Sequence, residues 1–355
     1  MLVSILMPMR NAEKFVRDAA RSVLATTSVP LELIVIDDGS TDASKSVVAG
    51  LGDSRVRLID GPRTGIADCL NTGLRHAKGD ILMRCDADDL FPAGRIEAQH
   101  RWLAEHPECA AVCGAFEMID PDGAVVATPF SAAVENADDI AGELKDGQLR
   151  THLCTFAMRR SAIDAVGEFR RYFETAEDLD FAFRLGQAGS VGFLNRTFYR
   201  YRIHPTSITH IQAKARREFF ERTARAFAVQ RRDEGFDALM RGAPPAPPVD
   251  GGKARDAGEH LYNLETAQAW LELERGARAR AVTLGLRSVA RRPLRLGAWI
   301  NLAKLVLKSM MPSPGDGVAT RSVRPPEAAG SPLPGQPARA ASSMQPDRRS
   351  TTADS

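Results

Sequence analysis

Two apolar runs of strand length, Leu31–Ile36 and Ile81–Cys85, end without a spacer in carboxylates: Asp37-Asp38 after the first and Asp86-Ala87-Asp88-Asp89 after the second. Runs this apolar suit strands covered on both faces, and acids that follow directly emerge at the strands' carboxyl ends. Leu2–Met7 and Arg55–Ile59 read as two further strands. Helical patterns lie between them. Phe15, Val16, Ala19, Val23 and Leu24 share a face, Ser40, Thr41 or Asp42 can cap a helix reaching Leu51, and Gly65–Ala77 forms a third. Such a βαβαβαβ series folds into a mostly parallel sheet with right-handed crossovers, and ligands bind beyond the carboxyl ends of its strands. Both acidic motifs then fall on one edge of the sheet.

Asp86, Asp88 and Asp89 repel one another at this spacing, and the most economical partner is a divalent cation with a taste for hard oxygen ligands, Mg2+ or Mn2+. A metal held by one or two protein acids keeps positions free for phosphate oxygens, so Asp86 and Asp88 read as a metal-diphosphate clamp. A solvated acidic turn is the alternative for so short a motif. No GxGxxG or GxxxxGK[ST] pattern occurs, so a nucleotide must be held by other means. A calcium loop requires an acid or Asn where Leu90 stands. An aspartyl phosphotransferase generally wants Thr or Val there, and would leave Asp37-Asp38-Gly39-Ser40 unexplained.

Further along, Pro92–His106 reads as a helix, Ala110–Ile119 and Ala124–Thr128 as strands joined by Pro121-Asp122-Gly123, and Ala133–Leu144 as a polar helix. Leu153–Met158 and Phe198–Ile203 are strand candidates, the latter followed by His204. Glu174–Gly189 is a helix with Glu177, Asp178 and Asp180 in its first turn, where acids complement the dipole. The expected organisation is a catalytic domain over 1–210, a long basic helix in 211–241, a Pro/Gly linker over 242–257, a helical appendage over 258–310 and a disordered tail over 311–355. The appendage shows three helical patterns, Glu259–Glu274, Ala277–Arg291 and Leu294–Met310. The last mixes Trp299, Ile300, Leu305, Val306 and Leu307 with Arg295, Lys304 and Lys308, which suits packing on neighbouring helices or peripheral contact with a membrane.

Residues 1–210 carry 23 Lys and Arg against 30 Asp and Glu, whereas 211–310 carry 19 against 11. The front segment is built to hold a cation and the following one to meet an anionic surface. Cys69, Cys85, Cys109, Cys113 and Cys154 are odd in number, mostly in apolar segments, and read as buried thiols. With no apolar run of bilayer length and no signal-like start, the expected location is the cytoplasm, with peripheral contact at the inner face of the membrane through the last helix.

Ser4-Ile5-Leu6-Met7-Pro8 with Asn11, Asp37 to Asp42, Asp86 to Asp89 with Pro92, Arg95 and Glu97, Glu177-Asp178-Leu179-Asp180 and Tyr201-Arg202-Ile203-His204 form an ordered set. In order and spacing this set resembles the bacterial branch of the family 2 glycosyltransferases over about residues 2–210. The resemblance implies an α/β fold of GT-A type, a Rossmann-like mostly parallel sheet flanked by helices, here with a C-terminal helical appendage. It implies an inverting, Mn2+- or Mg2+-dependent transfer from a nucleotide sugar, usually a UDP-sugar, to a hydroxyl of a glycan or lipid-linked acceptor, with no nucleic acid involved. By the same resemblance, Pro8 and Asn11 wall the nucleotide base, Asp38 hydrogen-bonds it with Asp37 close by, and Arg63 faces phosphate. Asp86 contacts the sugar or ribose and helps hold the metal, Asp88 is the principal metal ligand, and His204 approaches the metal or diphosphate. Asp178 is the general base, with Glu177 beside it. His152 departs from the family pattern by one position. A nucleotidyltransferase of related fold and a non-catalytic nucleotide-sugar-binding scaffold are the rival readings.

Overall fold

The computed structural model describes residues 1–25, 28–129, 139–207, 214–249 and 256–310. In chain order the elements are β1 (Val3–Met9), α1 (Val16–Leu24), β2 (Leu31–Asp37), α2 (Ser44–Ala49), β3 (Val56–Asp60), α3 (Ile66–His76) and β4 (Ile81–Arg84). Next come α4 (Arg95–Glu105), β5 (Cys109–Ile119), β6 (Val125–Ala127), α5 (Ala141–Lys145), β7 (Ala157–Arg159), α6 (Arg160–Val166), α7 (Glu177–Ala188) and β8 (Ser190–Arg202). The helices α8 (Lys214–Glu234), α9 (Ala257–Glu274), α10 (Arg278–Arg291) and α11 (Leu296–Met310) follow. β3, β2, β1 and β4 run parallel in that order; β7 then pairs antiparallel with both β4 and β5, and β5 carries β8 in parallel and the short β6 antiparallel.

The period-2 alternation of the strands divides the interior. Ile34 and Ile36 of β2 face α3, α7 and α8, while Leu33 and Val35 face the layer built by α1 and α4. Burial on both faces explains the near-continuous apolar runs that made β2 and β4 legible.

Three elements differ from expectation. The Leu153–Met158 run opens as a single 3-10 turn, Leu153–Thr155, closed by His152 Nδ1 accepting the Cys154 N–H at 3.1 Å, and only Ala157–Arg159 enters the sheet. β8 starts eight residues before Phe198, and its pairing with β5 is irregular around Gly114 and Ala115. The Ala133–Leu144 pattern yields a helix only over Ala141–Lys145, residues 130–138 lying outside those described, as does the tail over 311–355. The basic helix α8 packs into the fold: Phe220, Ala224, Phe227 and Ala228 belong to the main core, and Arg231 sits in a buried ion cluster with Asp180 and Asp237. α9 docks Leu261 on Met118, Val126 and Ile203, and Arg291 of α10 bonds Asp120 at 2.9 Å. All five cysteines are free and buried.

At Gly114 a β carbon would stand 2.6 Å from Phe198 and 2.7 Å from the carbonyl oxygens of Leu194 and Arg196. Backbone cannot yield cheaply there, so Gly114→Ala is expected to cost ~1–3 kcal/mol, measured by urea unfolding. An unchanged midpoint would mean that β5 and β8 can separate at no cost.

Candidate active site

β1 has β2 on one side and β4 on the other; the crossover that leaves β1 runs to β2, the one from β3 returns past it to β4, and a crevice opens beyond the carboxyl end of β1. The β1–β4 register stops at Leu6 and Arg84, whereas β1 continues along β2 to Met9. Pro8, with no N–H to donate, sits where β4 has left. The resulting cleft of about 770 Å³ is lined among others by Pro8, Asn11, Asp38, Arg84, Asp86, Asp88, His152, Glu177, Asp178 and His204.

The two nucleotide-side loops are laced together. Asn11, left-handed at φ 52°, accepts the Thr41 N–H on Oδ1 at 2.8 Å and donates its own N–H to Ser40 Oγ at 3.0 Å. Ser44 Oγ accepts the Ala12 N–H at 2.8 Å. Asp38 is held by the Arg63 N–H at 2.6 Å. Asp37 and Arg63 do not line the cleft. Asp37 is buried beneath it, accepting the Ser40 N–H at 3.2 Å and pairing with Lys45 at 3.3 Å, while the Arg63 side chain lies across Gly39. Their place is in shaping the loop that presents Asp38.

The three clustered acids turn to three different partners. Both Asp86 oxygens accept from Arg84, Nε to Oδ1 at 2.6 Å and Nη2 to Oδ2 at 3.1 Å, so the shared role in metal ligation drawn for Asp86 meets a competing guanidinium. Asp88 Oδ2 lies 2.8 Å from His204 Nε2, whose ring is oriented through Nδ1 by Thr206 Oγ1 at 2.9 Å. Asp89 is buried, accepting the Tyr199 hydroxyl at 2.7 Å and the Arg202 N–H at 2.6 Å; burial first, then the charges of Asp88 and Asp86, hold its carboxyl well above the usual range. Asp89 therefore fastens the acidic loop to β8. Among the described residues no three His, Cys, Asp or Glu side chains form a metal cluster. Asp88 and His204 are two donors of the right chemistry, side by side and open to the cleft, and fit a cation that completes its shell from a bound diphosphate.

Opposite, Ala176 takes a left-handed φ of 63° and delivers Glu177 and Asp178 to the positive end of α7. Glu177 accepts Arg84 Nη1 at 3.1 Å, and burial, aided by the neighbouring Asp178 charge, pushes its carboxyl up to about 7. Asp178 keeps some solvent access; one oxygen accepts the Leu179 N–H at 2.8 Å and the other lies 3.5 Å from His152 Nε2. Because His152 Nδ1 accepts the Cys154 N–H, its proton sits on Nε2, facing Asp178, and burial lowers the ring's pKa. Asp180 points inward instead, to Arg170, Arg184 and Arg231.

Arg84 and Tyr199 carried no role in the sequence reading. Arg84 was recoverable: an arginine two residues before Asp86 in an otherwise apolar buried strand demands a carboxylate partner. Tyr199, which also accepts the Asp86 N–H at 3.1 Å, is separated from Asp89 by 110 positions and left no local signal.

Residues 4–167 match the family model described as Glycosyl transferase family 2. A chondroitin synthase of Pasteurella multocida is 28% identical over 223 residues, which are 61% of this chain and 22% of the synthase. The glycosyltransferase EpsJ of Bacillus subtilis, itself uncharacterized, is 26% identical over 223 residues, 60% of this chain and 64% of that protein. The chain thus spans about a fifth of the synthase and under two thirds of EpsJ. The crystal structure of S. aureus TarS 1–349 in complex with UDP-GlcNAc superposes with a TM-score of 0.55 at 15% identity, covering 87% of this chain and 88% of that one, and shares the fold. The ordered motifs, the switch-point cleft and these likenesses converge on residues 4–167, which carry a domain matching glycosyl transferase family 2.

Proposed function

We propose that the cleft transfers a sugar from a nucleotide sugar, a UDP-sugar in the first instance, to an acceptor hydroxyl by direct displacement with inversion at the anomeric carbon. The observation that carries this reading is that a partly exposed carboxylate, Asp178, opens onto the same cleft as Asp38, Asp86 and the Asp88–His204 pair. A sugar hydroxyl is a weak nucleophile; Asp178 accepts its proton as the glycosidic bond forms. His152 fixes the orientation of the Asp178 carboxylate, and Arg84 holds Glu177 and Asp86 at one spacing across the site. Pro8, Asn11 and Asp38 form the base side. Asp88 and His204 would hold a divalent cation, Mn2+ or Mg2+, which would supply neutralising charge to the leaving diphosphate.

The UDP-GlcNAc bound in TarS supports the donor class, and the chondroitin and hyaluronan synthases of Pasteurella multocida support an acceptor in polysaccharide or lipid-linked glycan synthesis. The test is release of nucleoside diphosphate from UDP-, GDP- and dTDP-sugars with Mn2+, Mg2+ or EDTA. Turnover of one donor that stops in EDTA and in Asp88→Ala is the expected result. Metal-dependent donor binding without turnover in any acceptor mixture would favour the scaffold reading, and neither binding nor turnover would remove donor recognition altogether.

A further inference from the structure

α11 presents two unlike faces. Ala298, Leu302 and Leu305 are buried against α9 and α10, where Gly285 lets Leu302 and Leu305 approach closely. On the opposite side Leu296, Trp299, Ile300, Leu307 and Met310 are 74, 51, 46, 59 and 78% exposed. At about 100° per residue these five fall in one stripe along the helix, so the packing that covers one apolar face leaves the second bare. The Trp299 indole donates to the Pro293 carbonyl at 2.8 Å, which holds the ring at the helix's amino end. α11 has no Asp or Glu; at helical spacing Lys304 and Lys308 fall on one flank of the stripe, Lys304 exposed and Lys308 with its Nζ 4.9 Å over the Trp270 ring of α9.

The charge decides between occupants. A second copy across a two-fold axis would set this stripe against itself, with lysines and no acids on either helix. Residues 311–355 offer one Leu, two Val and two Met and lack Ile, Phe, Trp and Tyr, too little apolar surface to cover it. An anionic bilayer satisfies both features at once, since apolar side chains enter the headgroup–acyl boundary while lysines meet lipid phosphates. No helix among the described residues is long and apolar enough to cross a membrane, so the contact is peripheral.

We propose that α11 is a membrane-docking surface that seats the chain on anionic lipid. The test is co-sedimentation of the full chain, without donor or metal, with vesicles of phosphatidylcholine alone and of phosphatidylcholine mixed with phosphatidylglycerol, so that its outcome is independent of glycosyl transfer. Binding to the mixed vesicles, weakened by salt and lowered roughly tenfold or more in Trp299→Gln/Leu307→Gln, is expected. Lys304→Glu, an exposed change that spares the packed face, should weaken binding to the anionic vesicles alone. Absence of binding, equal binding to both vesicles, or binding unchanged in the double variant overturns the proposal. Self-association lost in the double variant without vesicle binding overturns it in favour of a second copy.

Discussion

Asp178→Asn should lower kcat by ~10²–10⁴ while metal-dependent donor binding persists, because the amide keeps the shape of the carboxylate but cannot take the acceptor's proton. The native side chain is well placed for such a clean subtraction. It is 19% exposed, one of its oxygens is tied to the Leu179 N–H, and among the described residues it makes no ion pair with an arginine whose loss would disturb the donor side. Initial rates at saturating donor and acceptor, beside donor titration calorimetry, separate the two quantities. An unchanged kcat would remove Asp178 from the reaction and turn attention to Glu177, whose carboxyl at about 7 is tuned for proton transfer near neutrality but is engaged by Arg84.

Arg84→Met carries the second large effect, on stability as well as turnover. The guanidinium is buried and bonds Asp86 twice and Glu177 once, and methionine fills similar space without charge. Breaking a buried pair by removing one partner costs ~3–5 kcal/mol, and the lower end applies because Asp86 keeps 22% of its side chain in solvent. The pH dependence tests the electrostatic origin. Glu177 ionises in the folded chain at about 7 rather than at its usual 4.5, so between those values the native state binds more protons than the unfolded one and stability falls as pH rises. Without Arg84 the Glu177 carboxyl moves further upward and that fall continues to higher pH. Thermal melts of both proteins should therefore diverge most above pH 7 and converge toward pH 4.5. Parallel profiles would mean that Arg84 acts through packing alone.

Most of the parallel half of the fold was open to reading. β1, β2 and β4 are short, apolar and covered on both faces, so local pattern and tertiary position agree. Legibility declined after Ile119, where pairing turns mixed and irregular. The Leu153–Met158 run has the pattern of a strand, yet the His152 ring bonds the backbone two residues on and diverts it into a turn. That local bond, formed only with His152 packed among Tyr199, Tyr201 and Phe116, outweighs β propensity. The packing of α8 was less legible: its arginines dominate the sequence, but a stripe of Phe220, Ala224 and Phe227 decides where it packs, and Arg231 is buried beside Asp180.

By itself the sequence determined the parallel sheet, the edge that holds the site and the acids gathered there, because burial on both strand faces and acid placement at strand ends are written in consecutive residues. Only the tertiary structure decided the pairing of those acids. Arg84 bridges Asp86 and Glu177 across 93 positions, His204 meets Asp88 across 116, and Tyr199 meets Asp89 across 110. A carboxylate's partner is fixed by distance in space and by the dielectric around it, and neither quantity exists until the chain has closed on itself.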